Sequence, residues 1–138
     1  NKIKGNEMNL QECLILLKNQ IIFEETSEKE EGKILYTYEG HICKFYQLNH
    51  TLYWECSLGP KLENTPQISQ KLSQLLQFNL KRMTFLDETL FFDSKTQHLY
   101  LRKQINSKNL YSENLTTLWE DFILNTETIK DRFFPSQE

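Results

Sequence analysis

Apolar residues recur at helical spacing near the start of the chain and predict a first helix from about Asn9 to Ile22. Asn9 and Glu12 are spaced as in a capping box, with Asn in the place of Ser or Thr. The residues that share one face are Leu10, Cys13, Leu14, Leu17 and Ile21. Ile15, Ile22 and Phe23 lie partly off that face, so the apolar stripe is wider than one buried side needs. Two interpretations stay open: a deeply buried helix, or a helix with a second, partner-binding side.

Two further helices are predicted later in the chain. One begins near Thr65-Pro66, with Thr65 as N-cap and Pro66 at the first helical position, and its apolar stripe extends to Met83. The other spans about Ser112 to Arg132 and carries the clearest apolar face. That face consists of Leu115, Leu118, Trp119, Phe122, Ile123 and Ile129.

Apolar and polar residues alternate with a period of two between positions 34 and 58, which predicts three strands joined by tight turns. The turns are expected at Glu39-Gly40 and around Asn49-His50, so the strands form an antiparallel meander. Two more strands are predicted at about 90–93 and 97–105. The order is α-βββ-α-ββ-α, and no linker divides it. An antiparallel sheet with helices packed on it makes an α+β single domain spanning residues 1–138.

Charge and composition exclude several classes of function. The net charge of −3 argues against a nucleic-acid-binding surface, which needs a basic domain. The longest strictly apolar runs, Leu14–Leu17 and Ile21–Phe23, are too short to span a bilayer, and no signal-peptide pattern opens the chain. Glu24 to Glu31 is a charge run typical of a solvated loop. The chain contains no alanine and no valine, so large side chains must fill its core.

Catalytic motifs are missing from the sequence. The four glycines stand apart, so there is no Gly-rich phosphate loop, and no G-x-S-x-G elbow occurs. The cysteines, which are Cys13, Cys43 and Cys56, include no CxxC pair and fall among apolar residues, which favours three buried thiols in a reducing compartment. His41-x-Cys43 offers only two ligands on one strand face, whereas zinc needs three or four. We expect no enzyme, no metal and no cofactor.

Four stretches, taken in chain order, resemble a known family, the class I chaperones of bacterial type III secretion (the Tir chaperone family). Residues 40–45 are similar to the family's second strand. Leu75–Leu80 resembles its Leu-Leu-x-x-Asn-Leu pattern at the end of the second helix. Leu90–Leu101 resembles the strand pair that follows, and Asn109–Phe133 resembles the terminal amphipathic helix. The similarity spans residues 34–133, and more loosely starts at Leu10.

This resemblance implies a non-enzymatic protein of the bacterial cytoplasm that keeps a secreted effector soluble and competent for export. It binds the effector's N-terminal segment in extended form, partly by strand addition, and forms a homodimer through its second helix and a neighbouring strand. The residues expected to contact the effector are Ile15, Ile22, Phe23, Tyr36, Tyr46 and Tyr53. Those expected at the dimer interface are Leu72, Leu76, Phe78 and Phe91. Ordinary core packing is the alternative for each of them.

Two other hypotheses remain beside this one. The chain is alternatively one subunit of a heterodimeric chaperone for a secretion gatekeeper or a component of the secretion apparatus. A hypothesis from another class is a small-ligand-binding or catalytic α+β domain, which predicts a deep pocket with convergent polar groups.

Overall fold

The computed structural model describes residues 7–62, 66–82 and 87–135. Within them the chain forms an α+β domain in the predicted order, with a short 3-10 helix at Ser107–Asn109 that the sequence did not predict. The predicted N-cap Thr65 and the stripe residue Met83 lie outside the described residues. The elements are α1 (Leu10–Gln20), β1 (Ile34–Tyr38), β2 (His41–Leu48), β3 (Thr51–Leu58), α2 (Pro66–Arg82), β4 (Glu88–Asp93), β5 (His98–Asn106) and α3 (Ser112–Phe133).

The five described strands form one antiparallel sheet in the order β1-β2-β3-β5-β4. A two-residue turn joins β1 to β2, and both of its residues have positive φ: 47° at Glu39 and 86° at Gly40. Such a turn matches the twist of the strands it connects. The chain leaves the sheet after β3, passes through α2 and returns as β4 at the edge. β5 therefore lies beside β3, although β4 precedes it in the chain.

The first helix begins as predicted and ends earlier. Asn9 accepts a hydrogen bond from the Glu12 amide at 2.9 Å, and the Glu12 carboxylate accepts one from the Asn9 amide at 3.0 Å, which confirms the capping box. The helix stops at Gln20, two residues before the predicted end, because Ile21 is already extended (φ −120°, ψ 135°). The extended backbone brings Phe23 back against the sheet, with its ring 5.5 Å from that of Tyr36.

Helices α1 and α3 cover one side of the sheet, which we call the inner face, while α2 packs against β4 and the end of α3. The inner-face positions of the central strands are fully buried, in the alternation that the sequence predicted. They include Cys43, Phe45, Leu52, Trp54, Cys56, Leu99 and Leu101. The large Trp119 of α3 fills the centre, with ring centroids 5.5 Å from Trp54 and 5.8 Å from Phe45. Large aromatic side chains thus fill the core of a chain that has no Ala and no Val.

Candidate functional site

Two of the predicted effector-binding residues belong to the aromatic layer between the sheet and the helices. Phe23 contacts Trp119 at 5.3 Å and Tyr36 at 5.5 Å between ring centroids. The hydroxyl of Tyr36 accepts a hydrogen bond from Lys18 Nζ at 3.0 Å. Both rings are half-buried against the core, so each combines a packing role with some exposed surface.

Two other predicted residues project into solvent. Ile15 is 62% exposed and Ile22 is 87% exposed. Beside Ile22 lies an open groove of about 410 Å³, lined by Ile21 and Tyr38 among others. We call Ile15, Ile22 and this groove the α1 surface. Ile15 lies on α1 and Ile22 just beyond its end. This surface corresponds to the partner-binding side, which was one of the two interpretations of the wide apolar stripe.

The α1 surface is continuous with the edge of the sheet. Glu24 forms an isolated antiparallel bridge to Thr37, with two backbone hydrogen bonds of 2.8 Å. Outward-pointing backbone groups alternate along an edge strand, so Leu35 presents its N–H and C=O on the same side as Thr37. A second open groove, of about 470 Å³, lies between β1, at Ile34 and Leu35, and the charged residues of the run at 24–31. The β1 edge is therefore capped at Thr37 and bordered by open grooves on each side.

The remaining predicted effector-binding residues lie on the opposite side of the sheet. We call this side the outer face and define it by Lys44, Tyr46, Tyr53, Glu55, Phe91, Tyr100 and Arg102. Tyr46 stacks on Tyr53 with centroids 4.8 Å apart, and Phe91 stacks on Tyr100 at 5.5 Å. The Arg102 guanidinium lies over both pairs, 4.5 Å from the Phe91 ring and 5.9 Å from that of Tyr53. The structure therefore divides the six residues between two surfaces rather than placing them on one.

A buried carboxylate organises the middle of the outer face. Glu55 is 1% exposed and accepts hydrogen bonds from the Tyr46 hydroxyl and from Arg102 Nε, the latter at 2.9 Å. Lys33 Nζ lies 3.8 Å from its other oxygen. Burial and the hydrogen bond to Glu55 both raise the pKa of the Tyr46 hydroxyl. Tyr46 is therefore a buried member of a polar network.

A buried ammonium lies next to this carboxylate. Lys44 Nζ donates to Glu30 at 2.7 Å and to Asp93 at 3.0 Å, and it lies 4.4 Å from the centroid of the Tyr100 ring. Burial alone would lower the pKa of Lys44, but the two carboxylates raise it. Burial would likewise raise the pKa of Glu30 and of Asp93, but hydrogen bonds hold both below their usual values. Most of the acidic run is exposed as predicted, and Glu30 departs from the pattern because it pairs with Lys44.

Sequence reasoning missed this charge network. One signal was available: Lys44 and Glu55 fall at strand positions whose neighbours are all aromatic or apolar. They prove to be direct cross-strand partners, and Glu55 is in turn the partner of Arg102. Charges at such positions are buried only if they are paired.

The four predicted dimer residues lie on α2 and on β4, and they differ in exposure. Leu72 and Phe78 are half-buried and pack toward the core, where the Phe78 ring is 6.2 Å from that of Phe133. Leu76, one turn after Leu72 on α2, is 64% exposed. Phe91 lies on the outer face of β4, the strand against which α2 packs.

The described residues include no group of three His, Cys, Asp or Glu side chains placed to hold a metal ion, and no helix among them is apolar over a length sufficient to cross a membrane. All three cysteines are free and buried, and Cys43 Sγ is 3.3 Å from Cys56 Sγ across the β2–β3 pair. Burial raises the pKa of the Cys13 thiol to about 12 and also raises that of Cys56. The Cys13 and Cys56 thiols are therefore protonated and poor nucleophiles near neutral pH.

Comparison with known proteins yields similarity only at the level of three-dimensional structure. No family model matches the chain, and no curated protein matches it. A chain in the crystal structure of the ExsC–ExsE complex superposes with a TM-score of 0.65 at 18% identity, covering 91% of this chain and 92% of that one. A chain in the structure of the HopA1–SchA chaperone–effector complex gives 0.54 at 15% identity, covering 86% and 90%. The likeness therefore concerns the fold.

Proposed function

We propose that this protein is a bacterial type III secretion chaperone that holds the extended N-terminal segment of a secreted effector in a soluble, export-competent form. The observation that carries the proposal is a fold shared, over 86% of this chain, with a chain of a chaperone–effector complex. The sequence resemblance at residues 40–45 and 75–80 agrees with it. On this proposal the protein acts in the bacterial cytoplasm by binding alone, without catalysis or a cofactor.

The α1 surface is suited to hold such a segment. An unfolded segment pays a large entropic cost when it is ordered, so many modest apolar contacts must offset that cost. Ile15 and Ile22 supply apolar area that nothing else in the described part of the chain covers. The groove beside Ile22 has room for side chains of the bound segment.

The β1 edge is suited to hold the backbone of the same segment. A strand added beside Leu35 would satisfy its backbone groups by pairing with the open edge, and the flanking grooves would take alternate side chains. The bridge between Glu24 and Thr37 already shows this pairing geometry within the chain itself.

We also propose that the chain forms a homodimer through α2. Among the side chains of α2 that the structure describes, Leu76 is the most exposed large apolar one, and the uncharged Ser73 and Gln77 beside it tolerate burial against a second copy. Light scattering at micromolar concentration is expected to give twice the mass of the chain. A monomer would contradict this part of the proposal, and a chain that is soluble only when co-expressed with another small protein would indicate the heterodimer instead.

The test of the chaperone function begins with co-purification from the native cell and identification of the partner by mass spectrometry. Binding of the partner's N-terminal segment is then measured by calorimetry for the double variant Ile15→Ser/Ile22→Ser. We expect affinity to fall by about a hundredfold or more, because each buried Ile contributes roughly 1.5 kcal/mol or more and the variant removes two of them. Leu124→Ser is the matched control, since Leu124 is 64% exposed on α3 and belongs to neither proposed surface.

Two results would contradict the proposal. One is a partner that binds only as a folded domain and not through its N-terminal segment. The other is equal affinity for the double variant, Leu124→Ser and the unmodified protein, which would remove the α1 surface from the binding site.

A further inference from the structure

Residues 24–33 leave the edge of the sheet at Glu24 and return to it at Lys33. None of these ten residues is apolar, so the segment offers nothing to the hydrophobic core. Its Glu30 reaches the Lys44 ammonium, which lies over the Tyr100 ring of β5 and also contacts Asp93 of β4. The segment therefore extends from the β1 edge across the outer face.

Few contacts attach this segment to the sheet. The backbone bonds between Glu24 and Thr37 hold one end, and β1 itself holds the other. Between them, Glu30 is the only residue of 25–32 for which the described structure shows a hydrogen bond or ion pair to the sheet, at 2.7 Å to Lys44. Glu30 is also paired with Lys33 at 2.7 Å. One carboxylate between two ammonium groups thus anchors the middle of the segment.

The surface beneath this segment is polar and closed to water. Lys44, Glu55 and Tyr100 are 0 to 1% exposed, although all three carry polar atoms on the outer face. Within the described residues, Glu55 Oε1 and the Tyr100 hydroxyl are buried without a hydrogen-bond partner. A buried polar atom in that condition costs free energy that contact with water would recover. Opening of the segment would therefore let water reach these atoms. It would break the pair between Glu30 and Lys44, and the longer contacts of Lys33 with Glu55 and with the Tyr46 ring.

We propose that residues 24–33 form a displaceable strap, latched by the Glu30 carboxylate, that opens and closes over the outer face while the rest of the fold stays intact. With the strap closed, Tyr46, Glu55, Tyr100 and Lys44 are hidden. With the strap open, these side chains are accessible to water. This inference does not rest on the proposed chaperone function, because it concerns the chain alone.

Hydroxyl-radical footprinting of the full chain tests the latch, with oxidation of Tyr100 as the readout. Trp119 is buried on the inner side, so its oxidation reports loosening of the whole fold. Glu30→Gln replaces the carboxylate with a neutral amide, which cannot form ion pairs with Lys44 and Lys33. We expect Tyr100 oxidation to rise roughly threefold to tenfold, the change expected for losing one or two partly exposed ion pairs.

Glu31→Gln is the matched control, since Glu31 is adjacent, exposed and without an ion pair in the described structure. This variant should leave Tyr100 oxidation unchanged. The oxidation of Trp119 should stay the same in every variant. High salt should raise Tyr100 oxidation in the unmodified protein more than in Glu30→Gln, because salt screens the latch. Unchanged Tyr100 oxidation in Glu30→Gln, an equal rise in Glu31→Gln, or a parallel rise of Trp119 would each overturn the proposal.

Discussion

His41 joins the second strand to the last helix, and its removal gives a measurable test of how the helix layer is held on the sheet. The ring is 3% exposed. Nδ1 lies 2.7 Å from the Ser57 carbonyl oxygen, and Nε2 contacts the Glu127 carboxylate. Both ring nitrogens face oxygen atoms, one of a backbone carbonyl and one of a carboxylate. The contact with the Glu127 carboxylate is therefore the charge-assisted one, and the contact with the Ser57 carbonyl is the weaker one.

His41→Leu removes both contacts and replaces the imidazole with an apolar side chain of similar size. A charge-assisted hydrogen bond contributes roughly 1.5–3 kcal/mol, and a neutral one about 1 kcal/mol. The Glu127 side chain is 37% exposed, so water compensates part of the first loss. Burial of the leucine offsets roughly another 1 kcal/mol. We expect the free energy of unfolding to fall by about 2 kcal/mol, measured by urea denaturation with tryptophan fluorescence.

Glu127→Gln tests the charge separately. Burial alone would raise the pKa of Glu127, but hydrogen bonds from His41 and Lys130 hold it below the ordinary value of 4.5. A lowered folded-state pKa gives stability that is present above 4.5 and lost as pH falls through the folded value. The cost of Glu127→Gln should therefore be about 1 kcal/mol near pH 7 and shrink toward about pH 3. An equal cost at both pH values, or unchanged stability of His41→Leu, would refute the reasoning.

Three further predictions concern single sites. Gly59→Ala should destabilise the fold by about 1–2 kcal/mol in the same urea assay, because Gly59 has φ +59° and an added Cβ would collide with the Phe134 ring. Cys13, with a thiol pKa of about 12, should react with iodoacetamide near neutral pH only after unfolding; rapid labelling of the native protein would contradict its burial. Tyr46→Phe should cost about 1–3 kcal/mol in the urea assay, because the buried Glu55 loses a donor. If Tyr46→Phe were as stable as the unmodified protein, the hydrogen bond from Tyr46 to Glu55 would not stabilise the fold.

Local patterns predicted the elements and one face of the sheet. Alternation at Leu52, Trp54 and Cys56 placed these residues on one side, and the structure buries all three completely. The pairing of Asn9 with Glu12 located the start of the first helix. These features depend on residues a few positions apart, whose geometry follows from the repeat of the helix or strand itself.

Contacts between distant parts of the chain were not predictable in the same way. Glu55 meets Arg102 because β5 pairs with β3, and that order depends on the crossover through α2 rather than on either strand alone. Lys44 is neutralised by Glu30, from a run whose composition is typical of a solvated loop. A charged residue between apolar neighbours in a predicted strand can be recognised from the sequence. Its partner becomes known only from the fold, which brings the two together.

The absence of alanine and valine changes how the apolar surface is interpreted. A chain of this composition fills partly exposed positions with Ile, Leu, Phe and Tyr, so exposed apolar area alone is weak evidence for a binding site. Position and contacts separate the residues instead. Tyr46 and Tyr53 are engaged by each other and by the charges of the outer face. Ile15 projects from α1 and Ile22 from the extended segment that follows it, beside an open strand edge, with no such engagement in the described structure. The α1 surface is therefore the stronger candidate for contact with an extended partner, and contact at Tyr46 would first require the strap to open.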